Sequence, residues 1–110
     1  MTYNSKHAIY ASGKFSNAYY ALATGEGDIK QRLLASSDIF WAVDPEMLPP
    51  HIQPIFNEIK DQLMRFPAKN NEGEVQATIH RIRRSTCVEI AKKVILVGSL
   101  LEEYISANNT

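Results

Sequence analysis

Apolar side chains recur every three or four residues through most of the chain, the spacing that places them on one face of a helix. The first such pattern predicts a helix from about Ser5 to Ala23. Thr24 and Gly25 end it, because glycine accepts the left-handed conformation that closes a helix. Its predicted inner face consists of Ala8, Ala11, Phe15, Ala18 or Tyr19, and Leu22.

The same spacing predicts a second and a third helix. Asp28 is placed to cap the second helix, which extends to about Ala42, and Trp41 is expected to anchor the core at its end. The third helix runs from about His51 to Phe66. Pro54 suits its first turn, where no backbone N–H is needed. The inner face of the second helix is predicted to consist of Ile29, Leu33, Ile39 or Phe40, and Val43.

The last pattern is the most regular and runs from about Glu74 to Ser106. A continuous helix of this length would reach about 48 Å, whereas a compact chain of this size is about 35 Å across. We favour a break near Arg84 to Thr86, where serine and β-branched residues lower helix propensity. An unbroken helix would instead overhang and form a homodimer through Val94, Val97, Leu100, Leu101, Tyr104 and Ile105.

These patterns predict an all-α fold. Strand signals are poor, because the β-branched residues occupy helical rather than alternating positions. A chain of 110 residues encloses one hydrophobic core, so residues 1–110 are expected to form a single helical domain. The predicted architecture is a compact bundle of four to five helices with a surface loop over residues 66–73.

Composition and charge narrow the possible functions. Twelve Lys and Arg balance twelve Asp and Glu, so the chain lacks the net positive charge of a general nucleic-acid binder. Its single cysteine, Cys87, forms no internal disulfide and favours a reducing compartment, so a cytoplasmic location is expected. No apolar run approaches the roughly 20 residues that span a bilayer, so no membrane partner is expected.

Candidate catalytic groups are scattered along the sequence. Cys87 and His80 are seven residues apart, but no spacing motif completes a zinc site, and Cys87 is expected to be a small buried hydrophobe. Gly25 and Gly27 lack the preceding strand, the later glycine and the Lys-Ser/Thr pair of a phosphate-binding loop, so a turn between helices is expected. The sequence therefore predicts no catalytic residue, no metal site and no cofactor.

One stretch of the chain is locally basic. Residues 80–93 hold five of the twelve basic residues: Arg81, Arg83, Arg84, Lys92 and Lys93. On a continuous helix, Arg81, Arg84 and Lys92 would lie near one polar face. Three interpretations remain open: a solvated or salt-bridged face, a site for an acidic protein surface, and a site for the phosphates of a nucleic acid.

Aromatic side chains are concentrated in the first predicted helix. Since Phe15 and Tyr19 are expected to fill its inner face, Tyr3, Tyr10 and Tyr20 are expected to lie outside. Tyrosine provides a large contact area with few rotamers to freeze, and it is enriched at interfaces. The three tyrosines are therefore candidates for a partner surface, although packing beneath the last helix would use them equally well.

Three segments of the chain resemble small helical proteins of bacterial genomes and prophages. They are residues 23–33, the Leu48–Pro49 corner, and residues 78–86 continued at Ile90 and Ala91. The resemblance covers about residues 20–100. That group has no assigned activity, so no catalytic residue is carried over. The resemblance implies a bacterial or phage origin and a cytoplasmic, accessory role in the contest between phage and host.

These observations predict a non-catalytic protein-binding module, such as a small regulator, adaptor or inhibitor. An enzyme is not expected. The predicted partner-binding residues are Arg81, Arg84, Lys92, Tyr3, Tyr10 and Tyr20. The alternative is a nucleic-acid-binding helical module that uses Arg81, Arg83, Arg84, Lys92 and Lys93.

Overall fold

A computed structural model describes residues 5–66 and 73–108 of the chain. All regular elements of this part of the chain are helical, and five of the helices have at least seven residues, which confirms the predicted all-α bundle. Tyr3 and most of the predicted loop at 66–73 lie outside the described residues. The elements are α1 Ser5–Thr24, α2 Ile29–Ala35, α3 Ile39–Ala42, a 3-10 turn Pro45–Met47, α4 Gln53–Leu63, α5 Glu74–Arg81 and α6 Arg84–Asn108.

The two longest helices, α1 and α6, pack against each other in opposite directions. Ser12, near the middle of α1, lies beside residues 98–102 of α6. Ala23, near the C-terminal end of α1, lies beside Val88. The buried faces of both helices share one hydrophobic core with α2, α3 and α4. None of the helices in the described ranges is both long and apolar enough to cross a membrane.

The predicted second helix is divided into α2 and α3. The hydroxyl groups of Ser36 and Ser37 donate to the carbonyl oxygens of Leu33 and Leu34, at 2.7 and 2.6 Å, where α2 ends. A side chain that bonds the backbone in this way competes with helix continuation. The interruption resets the helical phase, so that Ile39 and Phe40 are both buried.

The same change of phase turns Trp41 outward. Its side chain is 63% exposed, so the prediction that Trp41 anchors the core is wrong. Phe40 takes that place instead, with its ring stacked on the ring of Phe56 at a centroid distance of 6.0 Å. The indole is therefore a surface group on a one-turn helix.

The last pattern is broken between α5 and α6, as favoured from the sequence. The break falls at Ile82 and Arg83, slightly before the predicted position. Ile82 has an extended backbone conformation, with φ −82° and ψ 160°, and its N–H still donates to the carbonyl of Thr78. The proposed overhang is absent from the described part of α6, because its apolar side chains pack on the core of this same chain: Val94, Val97, Leu100, Leu101, Tyr104 and Ile105.

The start of α2 is closed by reciprocal hydrogen bonds. The Asp28 carboxylate accepts from the backbone N–H of Gln31 at 3.1 Å, and the Gln31 side chain accepts from the backbone N–H of Asp28 at 2.9 Å. This capping box satisfies two backbone donors that a helix start leaves free. Gly27 leads into it with a φ of +91°, a conformation that favours glycine.

Candidate partner-binding surface

The break between α5 and α6 divides the basic stretch. Arg81 is the last residue of α5 and Arg84 the first of α6, with an extended connection between them. The two side chains therefore do not lie on one face of a continuous helix, which agrees with the break favoured from the sequence. The Arg81 guanidinium instead lies 5.4 Å from the centroid of the Phe66 ring, a cation–π contact within the chain.

Two other basic side chains join separate helices. Arg84 donates to the Asp28 carboxylate through two nitrogens, at 3.0 and 3.2 Å, and so ties α6 to the start of α2. The Lys93 ammonium lies 2.6 Å from a carboxylate oxygen of Glu58 and thus ties α6 to α4. These contacts support the salt-bridged interpretation for Arg84 and Lys93.

Lys92 and Arg83 are less engaged. The Lys92 ammonium lies 3.4 Å from Glu89 on the same helix, with both side chains about two-thirds exposed. Such exposed pairs contribute about 0 to 1 kcal/mol. Arg83 is exposed and forms no ion pair with any residue of the described ranges. Arg83 and Lys92 are therefore the basic side chains of this stretch that form no ion pair or cation–π contact with another described element, although Arg84 is also 72% exposed.

The Asp28 carboxylate is expected to make stability depend on pH. The backbone N–H of Gln31 and the guanidinium of Arg84 hold the pKa of Asp28 below its ordinary value. Because this pKa is lowered, the Asp28 carboxylate contributes its full stabilisation above about pH 4, and this stabilisation is lost as the pH falls through the lowered pKa. We expect Asp28→Asn, which keeps a capping side chain but does not titrate, to lose less stability on acidification than the wild type.

Urea unfolding at a series of pH values from neutral to strongly acidic measures this difference. The wild type and Asp28→Asn should converge at the acid end, where the Asp28 carboxyl is protonated. A constant difference between them at every pH would contradict the assignment. Glu26→Gln, two residues away on the exposed turn, is the matched control.

The tyrosines of α1 do not form one group. Tyr10 and Tyr20 are exposed, as predicted, but ten residues of helix turn them about 80° apart around the axis. Tyr10 shares its side of α1 with Lys14, whose ammonium lies 5.5 Å from the Tyr10 ring centroid. Tyr19, expected to be in the core, is 54% exposed, so that expectation is wrong; Ala18 is the buried alternative.

Tyr19 belongs to a groove between α1 and α6. One part of the groove, about 370 Å³, is lined by the exposed side chains of Tyr19 and Ile95 and by the buried side chains of Phe15 and Val94. The other residues that line it are Ser12, Ser16, Gly98, Ser99 and Glu102. A neighbouring part of about 300 Å³ includes the same Tyr19 and Ile95 and extends to Val88. The two parts thus adjoin at Tyr19 and Ile95, and we refer to them together as the groove between the helices.

Exposed apolar side chains surround this groove. Tyr19, Val88 and Ile95 line it and are 38 to 54% exposed. Ile9 and Tyr20 are also exposed, and they lie on the same side of α1 as the groove residue Ser16, since they are seven residues before it and four after it. We call the surface formed by Ile9, Tyr19, Tyr20, Val88 and Ile95 the α1–α6 face.

Sequence reasoning missed Val88 and Ile95. The signal was a second seam on α6, beside the buried one, with the three-and-four spacing Val88, Ala91, Ile95, Gly98 and Glu102. Such a spacing is typical of a helix that packs against another helix along this side. Ala91 and Gly98 carry too little apolar surface for the seam to stand out in a hydrophobicity pattern.

The two ends of the seam carry opposite charges. Lys92 lines the part of the groove near Val88, and Glu102 lines the part near Ser12. Glu103 lies beside Glu102 on a shallow depression that continues past the end of the groove. A partner on this face therefore meets apolar side chains at the centre, a positive group at one end and negative groups at the other.

The groups considered for catalysis are not assembled into a site in the described residues. Cys87 is fully buried in the core, and burial raises the pKa of its thiol, which disfavours the reactive thiolate. His80 is exposed on α5. Over residues 5–66 and 73–108, no three His, Cys, Asp or Glu side chains are grouped so that they could hold a metal ion.

Comparison of the chain with protein-family models, with curated protein sequences and with solved structures found no match.

Proposed function

We propose that the protein is a non-catalytic binding module that acts by occupying the surface of another protein chain, through its α1–α6 face. It would serve as a small regulator, adaptor or inhibitor. The observation that carries the proposal is the exposure of Tyr19, Val88 and Ile95 around a groove between the two longest helices. A groove between two helices is a common binding site for a third helix or for another helical surface.

The energetic argument for this face is that its apolar side chains gain by being covered. Burial of apolar surface contributes roughly 25 cal/mol per Å². A tyrosine at the centre adds a hydroxyl that can bond a partner at low cost in rotamer entropy. The charged side chains Lys92 and Glu102 lie at the ends, where an interface has its polar rim.

Among the predicted partner-binding residues, the basic side chains support the proposal less than the tyrosines do. Arg84 and Arg81 are engaged within the chain, so of the predicted set Tyr20 and Lys92 are the residues that adjoin the α1–α6 face. The proposed setting is the bacterial cytoplasm, with a phage or mobile-element protein acting on a host or defence protein. This setting is supported by the sequence resemblance to prophage proteins and by the unpaired Cys87.

The nucleic-acid alternative uses Arg81, Arg83, Arg84, Lys92 and Lys93. Phosphates would compete with Asp28 for Arg84 and with Glu58 for Lys93, whereas Arg83 has no such competitor among the described residues. A random DNA duplex distinguishes the two proposals. Binding that weakens strongly with salt and is lost in Arg83→Ala would favour the nucleic-acid module.

Two adjacent residues of α6 provide a matched test of the protein-binding proposal. Ile95 and Leu96 are 38% and 46% exposed, but Ile95 lines the groove and Leu96 points about 100° away from it around the helix. We expect a protein captured from a bacterial lysate by the wild type to be retained by Leu96→Glu and lost by Ile95→Glu. The measurement is affinity capture with quantitative mass spectrometry.

Circular dichroism of both variants checks that each is folded. Since both replacements put a glutamate on the surface of the same helix, a general effect of negative charge would appear in both. Capture that is unchanged by Ile95→Glu would overturn the proposed use of the α1–α6 face.

A further inference from the structure

The α1–α6 face is complementary to itself, and we propose that it binds the same face of a second copy of this chain. The two α6 helices would lie antiparallel across a twofold axis, with α1 of each copy beside them. This inference goes beyond the proposed function, because it assigns the same surface a second copy of the chain as an additional partner. It uses a side of α6 different from the buried side that a homodimer through an overhanging helix would require.

The spacing of the α6 seam fits helix-to-helix packing. Val88, Ile95 and Glu102 are seven residues apart, and Ala91 and Gly98 alternate with them at three and four residues. This is the repeat with which two helices interlock side chains along a shared seam. Ala91 and Gly98 lie on the α1 side of this seam, since Ala91 is buried and a Cβ at Gly98 would contact Phe15 of α1. The second copy therefore meets the exposed residues of the seam, which are Val88, Ile95, Ser99 and Glu102.

Charge selects the antiparallel arrangement. Lys92 lies toward one end of the seam, and Glu102 and Glu103 lie toward the other. A parallel pair of α6 helices would place like charges together. An antiparallel pair centred near Val97 brings Lys92 of each copy to Glu102 of the other, since residues 92 and 102 are equally far from position 97. Two oppositely charged pairs then form, one on each side of the axis.

The same register places large side chains opposite small ones. Ile95 faces Ser99 and Gly98 of the second copy, which line the groove with Ser12 and Ser16. Ile95 thus meets small residues of the opposing α6, in a groove that is also lined by the buried side chains of Phe15 and Val94. The existing exposed pair of Lys92 with Glu89, at 3.4 Å, is a weak competitor for the lysine.

The size of the face suits a reversible dimer. Two helices packed side by side present a width of about 18 to 20 Å, and the stretch of α6 from Val88 to Glu102 gives a length of about 21 Å, so the face offers about 400 Å² from each copy. Stable specific interfaces start near 1,200 Å² in total, so we expect a weak dimer that forms in the upper micromolar range of concentration.

Sedimentation equilibrium of the purified chain, from micromolar to submillimolar concentrations, tests the inference. We expect a concentration-dependent rise from the monomer mass of 12.4 kDa toward twice that mass. Ile95→Glu should stay monomeric, because it would place a carboxylate at the centre of an apolar interface. Leu96→Glu, on the adjacent side of α6, should dimerise like the wild type.

A charge exchange tests the register. Lys92→Glu should weaken dimerisation roughly tenfold, because it replaces two attractive pairs with repulsive ones. Adding Glu102→Lys in the same chain should restore the wild-type Kd, since each pair is then re-formed with its charges reversed. Failure of the double variant to restore the Kd would exclude this antiparallel register.

The two proposals fail separately. A chain that is monomeric at every concentration, or a dimer that persists in Ile95→Glu, overturns the inference of self-association. If that monomeric chain still captures another protein in an Ile95-dependent manner, the proposed function remains. Loss of both self-association and Ile95-dependent capture would overturn both.

Discussion

Replacement of Phe56 with alanine is expected to lower the free energy of unfolding by about 3 to 5 kcal/mol. The Phe56 ring is fully buried on α4. It meets the ring of Phe15 from α1 edge-on at a centroid distance of 5.6 Å and the ring of Phe40 from α3 in a stack at 6.0 Å. Its removal therefore leaves a cavity where three helices meet. A small domain has only about 5 to 15 kcal/mol of stability in total.

Thermal and urea unfolding followed by circular dichroism measure this loss. The expected fall in Tm is at least about 10 °C, at roughly 4 °C or more per kcal/mol for a domain of this size. Trp41→Ala is the control, since it removes a larger aromatic side chain that is mostly exposed, and we expect a much smaller change. Similar losses in the two variants would contradict the division of aromatic residues between core and surface.

A pair of glycine replacements is expected to change stability in opposite directions. Gly27→Ala should destabilise the chain by about 1 to 2 kcal/mol, because alanine at a φ of +91° adopts an unfavourable left-handed conformation. A Cβ at this position would also collide with the side-chain carbonyl of Gln31, which closes the capping box of α2. Gly27→Ala therefore strains the backbone and also removes the hydrogen bond that the Asp28 N–H donates to the Gln31 side-chain oxygen.

Gly13→Ala should stabilise the chain by about 0.5 to 1 kcal/mol. Gly13 lies in the middle of α1, and a Cβ there would meet no atom within 4 Å. The two variants contain the same chemical change, so their difference isolates the backbone conformation and surroundings of each glycine. Urea unfolding under identical conditions measures it. A loss of stability in Gly13→Ala, or no loss in Gly27→Ala, would contradict the local geometry described here.

Helical spacing predicted the buried face of α1 well. Ala8, Ala11, Phe15 and Leu22 are all buried, because a regular helix keeps its phase over many turns. The ambiguity between Ala18 and Tyr19 arose at the edge of the face, where one residue rotates a side chain by about 100°. A sequence pattern contains no information on the neighbouring helix that settles such an edge position, and so the groove was missed.

The error at Trp41 has a different cause. A periodic pattern assumes that the helix is continuous, and Ser36 and Ser37 end α2 after two turns by bonding backbone carbonyls. The residues that follow then take a new phase. Serines in the middle of a helical pattern are the sequence signal for such an interruption. They end the helix only where the hydroxyl bonds the backbone and not another group.

Whether the basic side chains of residues 80–93 are paired within the chain depends on residues far away in the sequence. The partner of Arg84 is Asp28, 56 residues earlier, and the partner of Lys93 is Glu58, 35 residues earlier. Composition indicated that acidic residues were available, but only the packing of α6 on α2 and α4 determines which ones are reached. The candidate surface therefore shifted from the charged stretch to the apolar seam beside it.

The packing of α1 on α6 also has a consequence for biosynthesis. α1 is the first described helix to leave the ribosome, yet part of its apolar face packs on the last helix of the described chain. During translation, this part stays uncovered until Val94 and Val97 have emerged, so the core is expected to close late. Until then the nascent polypeptide presents an uncovered apolar helix, which is the kind of segment that chaperones bind.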